Sequence, residues 1–255
     1  MTRRLQAVLL PICLFAIAAC GAADAARQAA ETGRVTSVES PVTLKLETGL
    51  TVRLAGVAAP EELAERETSR AALEALAEGE TVLLREGGPA RDRYGRAVAQ
   101  LYIAGEEERW AQGEMVRGGW LLAESVAGDS GDARALQALE AEARRAGRGH
   151  WGSGAFMVRA PDTNGLAQHL DTFQIVEGIV VETAEVREWT YLNFGLDYRT
   201  DFTVAIHEDS LARFEGTGID PAALSGARLR VRGWVEPRNG PMITVDHPEQ
   251  IEILD

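Results

Sequence analysis

The chain contains little cysteine: Cys13 and Cys20 are its two cysteines, and both lie in the first 20 of its 255 residues. The sequence after Cys20 therefore offers no disulfide and no catalytic thiol. It also contains no Walker loop, no Gly-x-Ser-x-Gly motif and no histidines at metal-ligand spacing. Because these widespread motifs are absent, the evidence for function must come from other residues.

Positive charge is also scarce. The net charge is −13 with a pI of about 4.9, and Lys45 is the only lysine. Nonspecific attraction to polyanions is therefore not expected to drive binding. Any affinity for nucleic acid must come from locally placed arginines. The 45% apolar content is sufficient for packed cores in one large or two small domains.

The sequence lacks an apolar run of the roughly 20 residues that a membrane-spanning helix needs. Its longest run, Leu5–Ala19, follows two arginines and predicts an export signal over residues 1–20. Residues 17–20 resemble a lipobox, which predicts lipidation of Cys20, a tether over 21–32 and a lipid-anchored protein of the periplasm or cell envelope. The alternative is cleavage after residues 23–25, which would leave a soluble periplasmic or secreted protein.

A first motif begins with a strand at Val52 and ends at Pro60-Glu61. Proline cannot donate to a sheet ladder, so the strand must stop there. Arg53 is expected on the face opposite Val52 and Leu54, because side chains alternate along a strand.

A second motif, Asp92-Arg93-Tyr94-Gly95-Arg96, places another arginine after a glycine turn and before a strand at 97–103. Two arginines and a carboxylate near strand ends suit a phosphodiester. The guanidinium groups would hold its oxygens, and the carboxylate would handle a water proton.

Together the two motifs resemble the signature of the staphylococcal nuclease family, roughly Arg-Leu-x-Gly-Ile-Asp-Ala-Pro-Glu followed by Asp-Arg-Tyr-Gly-Arg. The resemblance covers about residues 33–152. It implies that Arg53 and Arg96 contact phosphate, that Glu61 orients or deprotonates the attacking water, and that Tyr94 and Arg93 meet the substrate. The alternative for Arg53 and Glu61 is a salt bridge that fixes the barrel mouth.

The sequence departs from the family at the calcium ligands that the resemblance implies. Val42 and Ala58 stand where the family has aspartates. Calcium prefers six to eight oxygen ligands, and its affinity follows the number of charged ones. The family's Ca²⁺ dependence is therefore expected to be weakened or lost here, unless Glu39 or Glu62 supplies a substitute carboxylate.

The predicted fold class is α+β. For residues 33–152 we expect a five-stranded barrel of the OB type with three helices, at about 62–78, 109–118 and 132–147. A linker is expected over 153–170. A second, smaller OB-like β-barrel is expected over 171–255.

The second barrel offers aromatic residues and arginines, which OB folds combine to bind single strands. They are Trp189, Tyr191, Phe194, Tyr198, Trp234, Arg199, Arg230, Arg232 and Arg238. The favoured interpretation is that most of the aromatics pack the barrel.

Three functions remain open. The first is an exported nuclease-like protein with weakened or lost hydrolysis that binds nucleic acid, a nucleotide or a protein. The second is a working metal-dependent endonuclease with rearranged ligands. The third is an envelope protein whose barrels make protein contacts only.

Overall fold

The computed structural model describes residues 31–125, 127 and 130–254. The predicted signal, Cys20 and nearly all of the tether lie outside the described residues. Within the first half of the chain the elements are β1 (Glu31–Ser40), β2 (Thr43–Leu46), β3 (Thr51–Leu54), β4 (Val57–Ala58), α1 (Leu63–Ala77), β5 (Thr81–Arg91), β6 (Ala97–Ile103), β7 (Arg109–Trp110), α2 (Ala111–Arg117), β8 (Leu122–Ala123), α3 (Ser130–Arg145) and α4 (His150–Ser153).

Five strands close the first sheet into a barrel. They are arranged β3-β2-β1-β5-β6, and a parallel pairing of β3 with β6 joins the two ends. Inward-facing side chains such as Val35, Leu44 and Val52 are buried in its core. Closure satisfies the edges that an open sheet would expose. The structure confirms the α+β class and the five-stranded barrel.

Helices α1, α2 and α3 occur near the three predicted positions. Leu73 and Ala77 of α1 are buried against the barrel, whereas Leu63, the first residue of the helix, is exposed. Gly79, with φ of 79°, lies just after the helix in the left-handed conformation that glycine adopts readily. The chain can therefore reverse directly into β5.

The second half forms a second sheet. Its elements are β9 (Val158–Arg159), α5 (Thr163–Leu166), β10 (Phe173–Ile179), β11 (Glu182–Val186), β12 (Trp189–Asn193), β13 (Thr203–His207), α6 (Glu208–Leu211), β14 (Arg228–Pro237), β15 (Pro241–Val245) and β16 (Ile251–Leu254).

The strands of this sheet follow the order β11-β12-β13-β15-β14-β10-β9, and β13 and β15 are parallel. β10 and β11 lie far apart in this order, but only two residues separate them along the chain: the Val180 amide donates to the Ala227 carbonyl, and the Val181 amide donates to the Asn193 carbonyl. With β10 and β11 taken as one bent strand, the pairing order is the same as in the first barrel.

The segment 153–170, expected as a linker, contains β9 and α5. Leu166 is buried in the second core, and β9 pairs in parallel with β10. Among the residues that the structure describes, no helix is both long enough and apolar enough to cross a membrane.

We call the barrel and its helices, residues 31–153, the first domain and the second sheet with its helices, residues 158–254, the second domain; the two are packed together. An apolar cluster joins Ala58 and Leu122 of the first domain to Phe173 and Ile175 of the second, with Phe156 between them. A buried ion pair adds to this contact, because Arg232 Nη1 of β14 lies 3.1 Å from Glu140 Oε2 of α3. The second domain is therefore a neighbour of the barrel mouth.

Candidate functional site

A cleft of about 830 Å³ lies at the mouth of the barrel, beneath the second domain. It collects every site residue predicted from the two motifs, together with residues from β10 and β14. The lining includes Val42, Arg53, Ala58, Glu61, Arg93, Tyr94 and Arg96 from the first domain, and Asp171, Thr172, Phe173 and Trp234 from the second.

Arg53 reaches the cleft from the middle of β3. The strand pairs with β2 and β6, so that Thr43 and Val98 lie beside Arg53 in the sheet. Its Nη2 lies 3.2 Å from Glu124 Oε2. Glu124 follows β8 and also accepts a hydrogen bond of 3.3 Å from Trp234 Nε1. Arg53 is thus held in the cleft by a carboxylate, and its partner is Glu124 and not the Glu61 of the salt-bridge alternative.

Arg96 is positioned by a tight turn between β5 and β6. Gly95 has a φ of 80°, a conformation that favours glycine, and the Asp92 side chain accepts the backbone amides of Tyr94 and Arg96. Asp92 Oδ2 also accepts Arg96 Nε at 2.7 Å, and Arg96 Nη1 donates to Thr43 Oγ1 at 3.2 Å. Thr43 is also the sheet neighbour of Arg53. Arg53 and Arg96 therefore lie at the same mouth of the barrel.

The exposed ring of Tyr94 lies at the rim of the cleft, with 68% of its surface accessible. The guanidinium carbon of Arg93 is 4.9 Å from the ring centroid, and that of Arg96 is 5.1 Å away. Such contacts orient cations over an aromatic face. The exposed ring of Tyr94 therefore lies beside both arginines of the second motif.

Replacing Asp92 tests how this turn is built. Burial raises the pKa of the Asp92 carboxyl, but the hydrogen bonds from Arg96 and Tyr94 outweigh it, so the net pKa is lowered. A group with a lowered folded pKa stabilises the protein above its unfolded pKa, and this contribution is lost as pH falls through the folded value. We expect Asp92→Ala to lower the free energy of unfolding by about 1–2 kcal/mol at neutral pH.

Asp92→Asn removes the negative charge but keeps the size of the side chain. Its amide oxygen can still accept hydrogen bonds from the backbone amides of Tyr94 and Arg96. In urea unfolding measured from about pH 7 down to about pH 3, the asparagine variant should lose less stability than wild type on acidification. Identical pH profiles for the two proteins would contradict the role of the ionised carboxylate.

Glu61 is held by the second domain. Its Oε2 lies 3.2 Å from His169 Nδ1, and its Oε1 accepts a hydrogen bond from Gln174 Nε2. Gln174 is buried and is itself fixed, since its Oε1 accepts Arg159 Nε at 2.5 Å. The carboxylate predicted to handle a water proton thus has both oxygens engaged by residues outside the barrel.

The residues present do not fit the family's calcium site. Val42 and Ala58 line the cleft without offering oxygen side chains, and Ala58 is packed in the apolar cluster with Phe173. The nearby carboxylates have other partners: Arg96 holds Asp92, Arg53 holds Glu124, and the second domain holds Glu61. Within the described residues there is no group of three or more His, Cys, Asp or Glu arranged to hold a metal.

Several lining residues had no signal in the sequence. Arg66 of α1 enters the cleft, and its Nη1 donates to the Pro60 carbonyl at 3.1 Å. Glu124, Phe173 and Trp234 are far from both motifs along the chain, and only the packing of the two domains brings them here. The sequence offers Trp234 as one of the aromatic residues of the second barrel, but no sequence pattern places Trp234 over this cleft.

Residues 51–153 match the family described as Staphylococcal nuclease homologue. The match begins at β3 and ends in α4, and it contains both motifs; β1 and β2, which complete the barrel, precede it. No curated protein matches the chain. A staphylococcal-nuclease-like domain with a closed barrel is therefore present, and it supports a nuclease-like or nucleic-acid-binding module.

Proposed function

We propose, on the basis of the staphylococcal-nuclease-like domain at residues 51–153, that this protein binds the phosphate groups of nucleic acid or a nucleotide and hydrolyses them weakly or not at all. One observation carries the proposal. The cleft presents arginines where a phosphate would bind, while Glu61, which would act on water, is held by Gln174 and His169.

The binding half of the proposal depends on the guanidinium groups. Arg53, Arg66, Arg93 and Arg96 all line the cleft, in a protein whose net charge is −13. Guanidinium groups match phosphate oxygens in geometry as well as in charge. Tyr94 offers an exposed ring beside them, on which a base could stack.

The weak-hydrolysis half depends on Glu61 and on the cation. A general base contributes about 10²–10⁴ to a rate, and it must be free to reach the proton that it removes. Metal catalysis supplies several kcal/mol in transition-state stabilisation, and a loss of about 4 kcal/mol slows a reaction about a thousandfold. Val42 and Ala58 are apolar at the two positions where the resemblance implies calcium ligands, and this favours a loss of metal catalysis.

We further infer that the second sheet is an OB-like barrel, from its pairing order and the parallel pair β13–β15. Its predicted nucleic-acid surface is less favourable than the cleft. Phe194 is buried against Phe202, Arg232 is buried against Glu140, and Arg230 pairs with Glu177 and Glu252. Export and a lipid anchor at Cys20 are part of the proposal; contacts with envelope proteins are the alternative function.

Binding should be measured with a fluorescein-labelled single-stranded DNA in the presence of a chelator, by fluorescence anisotropy. We expect Arg53→Gln and Arg96→Gln each to weaken binding by about tenfold to a hundredfold, the effect of removing a charge-assisted hydrogen bond. Arg145→Gln removes the same charge from the exposed end of α3 and should leave the affinity nearly unchanged.

Cleavage of the same DNA should be assayed separately with Ca²⁺, Mg²⁺ and Mn²⁺, alongside Glu61→Gln. We expect little or no metal-dependent cleavage. Robust cleavage that Glu61→Gln abolishes would establish the rival function, a metal-dependent endonuclease with rearranged ligands. Absence of both binding and cleavage would refute the proposal and favour a role in protein contacts.

A further inference from the structure

Glu124 occupies the centre of a groove between the two domains. A second cleft of about 520 Å³ adjoins the first, and Arg53, Asp92, Glu124, Phe173 and Trp234 line both. The contacts from Arg53 of β3 through Glu124 to Trp234 of β14 therefore cross the groove where the clefts meet. We call this set of contacts, Arg53–Glu124–Trp234, the bridge. A ligand that binds Arg53 must contact it.

Arg53 meets a carboxylate at the place where the proposed function needs a phosphate. Its Nη2 donates to Glu124 Oε2, and the side chains of both residues are largely shielded from solvent. A carboxylate and a phosphoryl group present the same feature to a guanidinium, namely negatively charged oxygens that accept its N–H groups. Both anions cannot hold the same N–H groups of Arg53 at once.

We propose that Glu124 stands in for a phosphodiester group at Arg53, and that the ligand's phosphoryl oxygens displace the Glu124 carboxylate, which then takes up a proton from solvent. This inference rests on the proposed function and extends it, because it makes Glu124 the residue that sets affinity for phosphodiesters. Displacement removes the positive charge that favours the ionised form of Glu124, and a carboxylate left beside a phosphate would be repelled by it.

The surroundings of Glu124 favour this exchange. Burial raises the pKa of the Glu124 carboxyl, although Arg53 and Trp234 act in the opposite direction. Loss of the Arg53 contact leaves burial to dominate, so protonation becomes easier. The larger cleft also contains the ionisable groups Glu61, Arg66, Asp92, Arg93, Arg96 and Asp171. The smaller cleft adds Asp246 and His247, and His247 Nε2 lies 2.7 Å from Ser125 Oγ.

The test uses the full mature protein and a short oligothymidylate without terminal phosphates, whose diester charges do not titrate between about pH 5 and about pH 8. Glu124→Gln keeps the size of the side chain and an oxygen for Trp234, but removes the charge. We expect this change to tighten binding by about tenfold at neutral pH. Glu108→Gln, which neutralises an exposed carboxylate paired with Arg85, should not alter the affinity.

Protonation gives a second, independent readout. Calorimetry in buffers of different ionisation enthalpy should detect proton uptake when wild type binds the oligothymidylate, and much less uptake with Glu124→Gln. Wild-type affinity should fall as pH rises, whereas the variant should show a flatter profile. His169 and His247 are present in both proteins, so any slope that they cause persists in Glu124→Gln and can be subtracted.

Trp234→Phe provides a variant at a half-exposed position. It removes the hydrogen bond that retains Glu124 on the bridge, and a smaller gain of affinity in the same direction is expected.

If wild type binds and Glu124→Gln binds equally or more weakly, the inference is overturned: Glu124 then only positions Arg53, and the proposed function stands. If neither protein binds at any pH, both ideas fall. Binding by Glu124→Gln alone would overturn displacement, because the wild-type carboxylate would then exclude the ligand, and it would also count against the proposed function of the wild-type protein.

Discussion

Replacing Arg232 by methionine should lower the free energy of unfolding by about 3–5 kcal/mol, the usual effect of removing one partner from a buried ion pair. Arg232 and Glu140 each have 1% of their side-chain surface exposed. Arg232 Nη1 also donates to the Ala123 carbonyl at 2.9 Å, and Glu140 Oε1 accepts the Ala123 amide at the same distance. The variant would leave Glu140 as an uncompensated charge between the domains.

Chemical denaturation monitored by tryptophan fluorescence gives the measurement. Arg228→Met is the matched control, since it lies on the same strand but pairs with Glu177 at the surface, and we expect it to change stability by less than about 1 kcal/mol. Adding Glu140→Leu to Arg232→Met should recover part of the loss, because it removes the buried unpaired charge, while the Ala123 amide and carbonyl still lose their side-chain partners. Equal effects of the Arg228 and Arg232 changes would show that the interface is not closed in solution.

The first domain could be predicted from sequence because its information is local. Alternation predicted the face of Arg53 on β3, and the resemblance carried by the two motifs implied that Arg53 and Arg96 contact one phosphate; the strand expected to continue to Pro60 instead ends at Leu54 and is followed by β4. These features depend on a few neighbouring residues, whose steric and hydrogen-bonding preferences act at short range.

The completed site could not be predicted in the same way. Arg230, Arg232 and Trp234 alternate with apolar residues along β14, and this is also the pattern of a strand with one solvated face. Only tertiary packing turns this face towards the first domain, where Arg232 meets Glu140 and Trp234 meets Glu124. The salt-bridge alternative for Arg53 had the right chemistry with the wrong partner, since Glu124 follows β8 and carries no motif.

The same packing gives a physical account of Ala58. The resemblance implies an aspartate that binds calcium at this position. Here residue 58 pairs with Leu122 in the β4–β8 ladder and is 5% exposed, in contact with an apolar cluster that includes Phe173 and Ile175. A carboxylate at this place would be desolvated by the second domain. The second domain and an aspartate at 58 are therefore poorly compatible.

Ala58→Asp should consequently destabilise the protein by about 2–4 kcal/mol, because an unpaired charge is brought into an apolar contact. Val42→Asp is the comparison, because residue 42 is the second position at which the resemblance implies a calcium ligand. Residue 42 is only half-buried at the cleft, so Val42→Asp should destabilise the protein less. Both variants should be compared with wild type by urea unfolding at neutral pH.

Adding calcium tests whether the aspartate variants rebuild a metal site. A ligand that binds only the folded state at a concentration 100-fold above its Kd stabilises that state by about 2.7 kcal/mol. We expect millimolar Ca²⁺ to leave the unfolding midpoints of Ala58→Asp and of the Val42→Asp/Ala58→Asp double variant unchanged, because Glu61, Asp92 and Glu124 remain held by their present partners. A calcium-dependent rise in the midpoint of the double variant would instead show that two aspartates suffice to rebuild the family's metal site under the second domain.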